Sequence, residues 1–402
     1  MYTFREAREE DREEVVKLLT TAFKEIDSFK NSWIDSWKNY WNHPENFDWA
    51  FVATCDDKII ANLSYFLSNH DKIRGNPLNF GGVWAVATDR KYRRKGVLKG
   101  IYELAFRDMN KRGIPISILD PSPYPFAQMA YERMGYAIAE KRVKHSFTPN
   151  SMKMFEGLND ISVRKIENPD ENIKIAELES KMSRYGSRLF TFPFFFSQGI
   201  KSGNFYILER NSDPVGCVKL IYENQDSDYI LKVENAYFIS DEILSFIANL
   251  ISQKFPDVSR IEWICDPQIP VRYFASNIKN IETQYVESML MRVVNFKKYC
   301  DSIRAPKGKE FSLSIKLSDN FCPWNEGIYD LTLSEGIFNI DKVDAEYKTD
   351  VTLDPHGLSN VVSGYMYPSE LRKYGIISCS LDTALKLDSI FPVDSLQAYY
   401  RF

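Results

Sequence analysis

The chain has 402 residues, room for two to three domains at roughly 150 residues each. Hydrophobic residues make up 44% and charged residues 26%, an ordinary globular balance that excludes a disordered, collagen-like or coiled-coil chain. The net charge is −4, from 51 basic and 55 acidic residues, so no dominant basic surface exists and nucleic acid is not an expected partner.

The six cysteines (Cys55, Cys217, Cys265, Cys300, Cys322, Cys379) form no CxxC and no zinc-ribbon spacing. They read as reduced structural thiols of a cytoplasmic protein. The four histidines, His43, His70, His145 and His356, are not paired at helical spacing, so no metal site is expected. The first residues, MYTFREAREEDREE, lack an apolar signal-peptide core. No apolar run approaches the ~20 residues of a transmembrane helix, so no membrane association is expected.

In chain order, residues 2–6 read as a strand, and Asp11 opens a helix with Val15, Leu18, Leu19, Ala22 and Phe23 on one face. An aromatic stretch follows: Phe29, Trp33, Trp37, Tyr40 and Trp41. Three strands are expected at 49–55, 58–67 and 78–87, with Asp56-Asp57 as a hairpin turn. From Val97 a helix carries Ile101, Leu104, Ala105 and Met109 inward and closes at Gly113. A strand at 114–119, a short helix at 127–134 and one last strand at 136–147 complete a mixed α/β unit spanning 1–147. A polar linker leads to a second unit at 161–300 that repeats this order. Its expected elements are a helix at 170–184, strands at 205–210, 215–223 and 229–238, a helix at 240–254 and a strand at 259–265. The apolar run MLMRVVN at 289–295 closes it. The third unit, 305–402, is a smaller α+β domain. It has strands at 311–317, 328–333, 337–341 and 349–353, then helices at 355–364, 368–374 and 380–391.

One segment carries chemistry. Val86-Ala87-Thr88 ends a strand, Asp89 to Lys95 is a basic loop, and Gly96-Val97-Leu98 starts a helix. A strand–loop–helix turn aims backbone N–H groups at one spot, at the positive end of the helix dipole. A pyrophosphate fits there: Arg93 and Arg94 supply charge and bidentate donors, and Gly96 lets the backbone approach closely. A solvated basic turn is the bland alternative. The GxxxxGK[ST] of a P-loop is absent.

The run Arg93-Arg94-Lys95-Gly96-Val97-Leu98 after a strand resembles the pyrophosphate loop of GCN5-related N-acetyltransferases. Leu98 replaces the usual last Gly/Ala, as in the Eis (enhanced intracellular survival) branch. The resemblance continues along the chain. Tyr131-Glu132-Arg133-Met134-Gly135-Tyr136 resembles the branch's Tyr-x-x-x-Gly-Tyr segment, and MLMRVVN resembles the strand closing its central domain. Asp319, Pro323, Asn325, Gly327, Leu358, Ser359 and Gly364 fall as in its sterol-carrier-like domain. The resemblance implies tandem acetyltransferase-like domains of α/β class followed by a small sterol-carrier-like domain, assembled as a homo-oligomer, a hexamer. It implies acetyl-CoA as co-substrate, with Val86 and Thr88 pairing the pantetheine arm and Arg93, Arg94, Gly96, Val97 and Leu98 holding the pyrophosphate. It implies Tyr131 as general acid and the α-carboxylate of Phe402 as base or amine orienter. The acidic turn before the 240–254 helix is expected to repel a second CoA.

Trp33, Trp37 and Phe126 are candidates for the acceptor pocket, where aromatic faces attract a cationic amine. For the tryptophan stripe the alternative is plain core. The acceptor is then a primary amine: a polyamine-like or aminoglycoside-like molecule, or a lysine side chain of a protein. The competing reading is a lipid or sterol-like ligand carrier acting through the last domain.

Overall fold

The computed structural model describes residues 1–24, 32–68, 71–121, 126–151, 160–168, 171, 178, 188–189, 205–225, 228–238, 246–247, 250–251, 255, 257–267, 269–286, 289–305, 308–344, 346, 348–394 and 396–398. The expected helices at 170–184 and 240–254 lie largely outside these residues.

Local rules set the first unit. Asp56 and Asp57 turn between strands Ala50–Cys55 and Lys58–Leu67 with φ of 49° and 60°. Two successive positive φ angles make the primed turn that matches strand twist, and Asp tolerates them better than most residues. Ahead of helix Arg12–Phe23, both oxygens of Asp11 take Arg5 guanidinium N–H groups, at 2.6 and 2.8 Å, and one also accepts the Arg8 N–H. In helix Val97–Lys111, Gly100 is required by packing: a Cβ there would sit 2.3 Å from the Phe4 ring. Gly113, with φ of 81°, ends that helix as expected.

The first sheet runs, edge to edge, Thr3–Glu6, Ala50–Cys55, Lys58–Leu67, Phe80–Thr88, Ile116–Leu119, Leu290–Val293 and Ala137–Ile138. The second runs Ile161–Lys165, Phe205–Arg210, Asp213–Gln225, Asp228–Phe238, Arg260–Cys265, Arg142–Phe147 and Glu282–Val286. The two orders correspond strand for strand, so the middle unit repeats the first.

The sixth strand of each sheet comes from the other half of the chain. Leu290–Val293 pairs with Ile116–Leu119 on one side and Ala137–Ile138 on the other. Arg142–Phe147 sits between Arg260–Cys265 and Glu282–Val286. The single strand expected at 136–147 is therefore two short strands in different sheets. MLMRVVN does not close the second sheet; it lies inside the first. The boundaries at 147 and 161 mark no division between sheets. A fragment ending at residue 147 would leave a gap between Ile116–Leu119 and Ala137–Ile138 and expose both edges. Such a fragment is expected to aggregate or give a collapsed amide NMR spectrum, whereas dispersed native-like peaks would show that the exchange is dispensable.

The last unit is a sheet of Ile337–Val343, Gly327–Ser334, Phe311–Leu317, Val351–Leu353 and Ser378–Cys379, covered by helices Pro355–Ser363, Pro368–Lys373 and Leu381–Ile390. Its interior is filled: Leu313, Ile315, Leu331, Val361 and Leu387 are buried, and the rings of Phe338 and Phe391 stack 5.8 Å apart.

This unit is tied to the first sheet by one buried network. Arg292, fully buried on the exchanged strand, donates to Met134 O at 2.7 Å and to Asp319 Oδ1 at 2.7 Å. It also donates to Val293 O, and its guanidinium lies 4.6 Å from the centre of the Phe106 ring. The same Asp319 oxygen takes the N–H groups of Phe321 and Cys322, while its other oxygen takes Asn325 Nδ2. Asn325 also accepts the Phe296 N–H, and Ser359 accepts that of Val293. Three sequence landmarks of the last domain, Asp319, Asn325 and Ser359, thus meet at the exchanged strand.

Candidate active site

The site begins with a break in the first sheet. Phe80–Thr88 pairs in parallel with Ile116–Leu119 only from Phe80 to Val83. Its register with Lys58–Leu67 shifts between Asn62 and Ser64, and opposite that bulge Ala85 has φ of 51°. A bulge kinks its strand, so beyond Val83 the two parallel strands diverge. Asn62 fixes the kink. It is fully buried, and its Nδ2 donates to Ala85 O at 2.9 Å. Past the bulge Val86 and Thr88 are half-exposed while Ala87 between them is buried. Those two positions are the open strand edge that was expected to pair with an extended ligand.

The strand leads into the basic loop. Asp89 caps its first turn by accepting the Lys91 N–H at 2.8 Å. Arg93 donates from Nε to Thr88 O at 3.1 Å, so one acceptor of the open edge is bridged to the loop. Arg94 and Gly96 both have left-handed backbone, with φ of 62° and 79°. A Cβ added at Gly96 would meet nothing within 4 Å, so this glycine serves the backbone turn and leaves open space above it. Val97 is buried and Leu98 half-buried against the core, which fixes the helix start below the loop. The first N–H groups of helix Val97–Lys111 have no intrahelical acceptor and face the positive end of the dipole. Loop, helix end and exposed arginine fit an anionic pyrophosphate, and the open edge fits a pantetheine arm. These residues therefore suit acetyl-CoA. Arg93→Ala with Arg94→Ala is expected to weaken acetyl-CoA binding, measured by calorimetry, by about 1.5–3 kcal/mol for each charge-assisted bond lost.

Tyr131 stands on helix Ala127–Arg133, whose end is set by Gly135 with φ of 90°. The N–H groups of Gly135 and Tyr136 return to Glu132 O and Tyr131 O. A Cβ at Gly135 would lie 2.4 Å from Pro355 Cβ, so the last domain packs directly on this turn. His356 donates from Nδ1 to Tyr136 O at 2.8 Å. Tyr131 is buried, and burial pushes its phenol up to about 12, opposed by the nearby Tyr102 hydroxyl. Its ring lies 6.2 Å from that of Tyr102 and 6.0 Å from that of Tyr136.

The other expected site residues divide. Trp37 is buried and packs on Phe23 at 5.3 Å, and Trp41 is fully buried against Phe47. The tryptophan stripe is core at these positions, which corrects the expectation of Trp37 as a pocket wall; four-residue spacing marks one helix face, and this face turns inward. The side chain of Trp33 and the whole of Phe402 lie outside the described residues. Phe126 is 65% exposed, with the Arg94 guanidinium 5.9 Å from its ring centre, so it stands beside the loop. The chain end approaches the first unit. Leu396 is buried, its N–H donates to Ala139 O at 2.8 Å, and Gln397–Ala398 pairs with Arg188–Leu189. Asn62 and Tyr102 were not singled out from the sequence. A lone Asn inside the apolar run of a strand was the available signal for the first.

A bulged, splayed sheet with a basic loop at a helix N-terminus is the architecture of an acetyltransferase domain. Residues 3–139 match the acetyltransferase (GNAT) domain family, and residues 296–396 match the sterol carrier protein domain. No curated protein matches the chain in sequence. Among solved structures, the GCN5-related N-acetyltransferase of Anabaena variabilis aligns over 100% of both chains with 18% identity and a TM-score of 0.85. That of Kribbella flavida covers 100% of this chain and 98% of its own, with 15% identity and a TM-score of 0.80. Eis1 from Mycobacterium abscessus covers 100% of both, with 14% identity and a TM-score of 0.79. These are likenesses of fold. The chain joins tandem acetyltransferase-like units to a C-terminal sterol carrier protein domain, an Eis-like arrangement. Among the described residues no helix is long and apolar enough to cross a membrane.

Proposed function

We propose that the protein transfers the acetyl group of acetyl-CoA to a primary amine of a small polyamine-like or aminoglycoside-like molecule. The observation that carries this reading is the open strand edge at Val86 and Thr88 running into the Arg93–Leu98 loop within an acetyltransferase domain.

In the proposed reaction the amine nitrogen attacks the thioester carbonyl, and the C–S bond breaks. Tyr131 gives its hydroxyl proton to the leaving sulfur, and the proton lost by the amine restores the phenol. The Phe402 carboxylate orients the amine, or takes that proton first and relays it to the phenol. Support for that last role is the path of the chain end. Leu396 is anchored at Ala139, and the four residues from Tyr399 to Phe402 span at most about 14 Å. The filled interior of the last domain favours its use as a scaffold for this terminus over the carriage of a lipid. A homo-oligomer, hexameric by resemblance, completes the proposal.

The test is thiol release from acetyl-CoA with a panel of primary amines, using the native terminus and a chain extended by two residues beyond Phe402. Amine-dependent release that falls at least ten-fold on extension is expected. Equal rates from both chains would reassign the base, and no release with any amine combined with no acetyl-CoA binding would overturn the reading.

A further inference from the structure

Tyr102 lies on the inner face of helix Val97–Lys111, fully buried, directly behind Tyr131. Its ring meets those of Tyr131 and Tyr136 edge-on at 6.2 and 6.1 Å. The third hydroxyl of the cluster is satisfied: Tyr136 shares a hydrogen bond with Ser117 Oγ at 2.7 Å. The Tyr102 hydroxyl closes no hydrogen bond among the described residues, although it is entirely removed from water. A buried hydroxyl without a partner is costly, and phenylalanine would fill the same space without that cost.

We infer that Tyr102 is a positioning residue for acetyl transfer, whose free hydroxyl donates to the Tyr131 oxygen as that oxygen gives up its proton to the leaving thiolate. The hydrogen bond is then made only when charge develops on Tyr131, so it lowers the barrier without strengthening substrate binding. No other described polar side chain bonds the Tyr131 hydroxyl. Burial raises the Tyr131 phenol, and the neighbouring Tyr102 hydroxyl works against that rise by favouring the phenolate. Arg292 lies near the Tyr136 hydroxyl and disposes the cluster further toward negative charge. This inference rests on the reading of Tyr131 as general acid and deepens it.

The test is a double-mutant cycle on the full chain with Tyr102→Phe and Tyr131→Phe, read as kcat, KM for acetyl-CoA and thermal midpoint. Tyr102→Phe is expected to lower kcat about ten-fold, the size of one hydrogen bond gained in the transition state, at unchanged KM. Its thermal midpoint is expected to hold or rise, which separates the role from a structural one. In the Tyr131→Phe background the second substitution is expected to cost nothing more. Full turnover of Tyr102→Phe beside a crippled Tyr131→Phe would overturn the positioning role alone, as would fully multiplicative losses in the double variant. Full turnover of Tyr131→Phe would remove the general acid and this inference with it.

Discussion

Asp319→Ala lowers the stability of the protein by about 3–5 kcal/mol, because it leaves the Arg292 guanidinium charged and uncompensated inside the structure. Both side chains are almost wholly excluded from water, at 0% and 2% exposed, so solvent screens little of the loss. The damage is not confined to one pair. Asp319 also holds the Phe321 and Cys322 N–H groups and the Asn325 amide, which are left without their acceptor. Arg292 in turn holds Met134 O, one turn from Tyr131, so a fall in turnover is expected to accompany the fall in stability. The urea midpoint of the first unfolding transition of the full chain measures the effect. The paired replacement Arg292→Met with Asp319→Leu is expected to recover most of the stability, since removing both charges avoids the uncompensated one. A double variant no better than Asp319→Ala would show that the hydrogen bonds, not the charge, dominate.

How far this arrangement was legible in the sequence depends on the range of the interaction. The Asp56-Asp57 turn, the end of a helix at Gly113 and the helix start after Gly96 were readable because each follows from backbone preferences of the residues themselves. The strands at 58–67 and 311–317 were readable from their apolar pattern. The exchange of Leu290–Val293 and Arg142–Phe147 was not. An apolar run such as MLMRVVN says that a strand is buried, not which sheet buries it. The alternation of 136–147 likewise runs on through the point where the chain leaves one sheet for the other. There Glu140 is fully buried and bridges in parallel to Leu396, a contact with the far end of the chain that no local pattern encodes. The loop at 93–98 could be singled out because the cradle proposed for a pyrophosphate needs particular residues in consecutive order. The strand divergence that completes it depends on Asn62 reaching Ala85 across a bulge, and the placement of Tyr102 depends on which helix face turns toward Tyr131. Both are consequences of packing, and the tryptophan stripe shows the same limit: its spacing named a face without naming the side to which Trp37 and Trp41 turn.

Tyr131→Phe is expected to lower kcat by about 10²-fold or more, the usual loss when a general acid is removed, with KM for acetyl-CoA changed by less than two-fold. The reason for a large effect lies in what the leaving group needs. A thiol has an ordinary pKa of ~8.5, and burial holds Tyr131 at about 12, so full proton transfer to a free thiolate is uphill by roughly three to four pK units. In the proposed reaction the phenol therefore acts by sharing its proton with the sulfur as negative charge builds there, and water is a poor substitute in a buried site. The high pKa also keeps Tyr131 protonated, and ready to donate, at every pH below about 12. An alkaline fall in rate below that pH belongs to another group, and an acidic fall is expected from protonation of the amine or of the Phe402 carboxylate. Acetyl-CoA affinity should be untouched, because the groups expected to hold the pyrophosphate, Arg93 to Leu98, lie on a different element. Steady-state kinetics of both variants, Tyr131→Phe and the Arg93–Arg94 double alanine, separate the two functions. The first is expected to lose kcat and the second acetyl-CoA binding, and a Tyr131→Phe enzyme that instead loses affinity at full kcat would place the phenol in binding rather than in proton transfer.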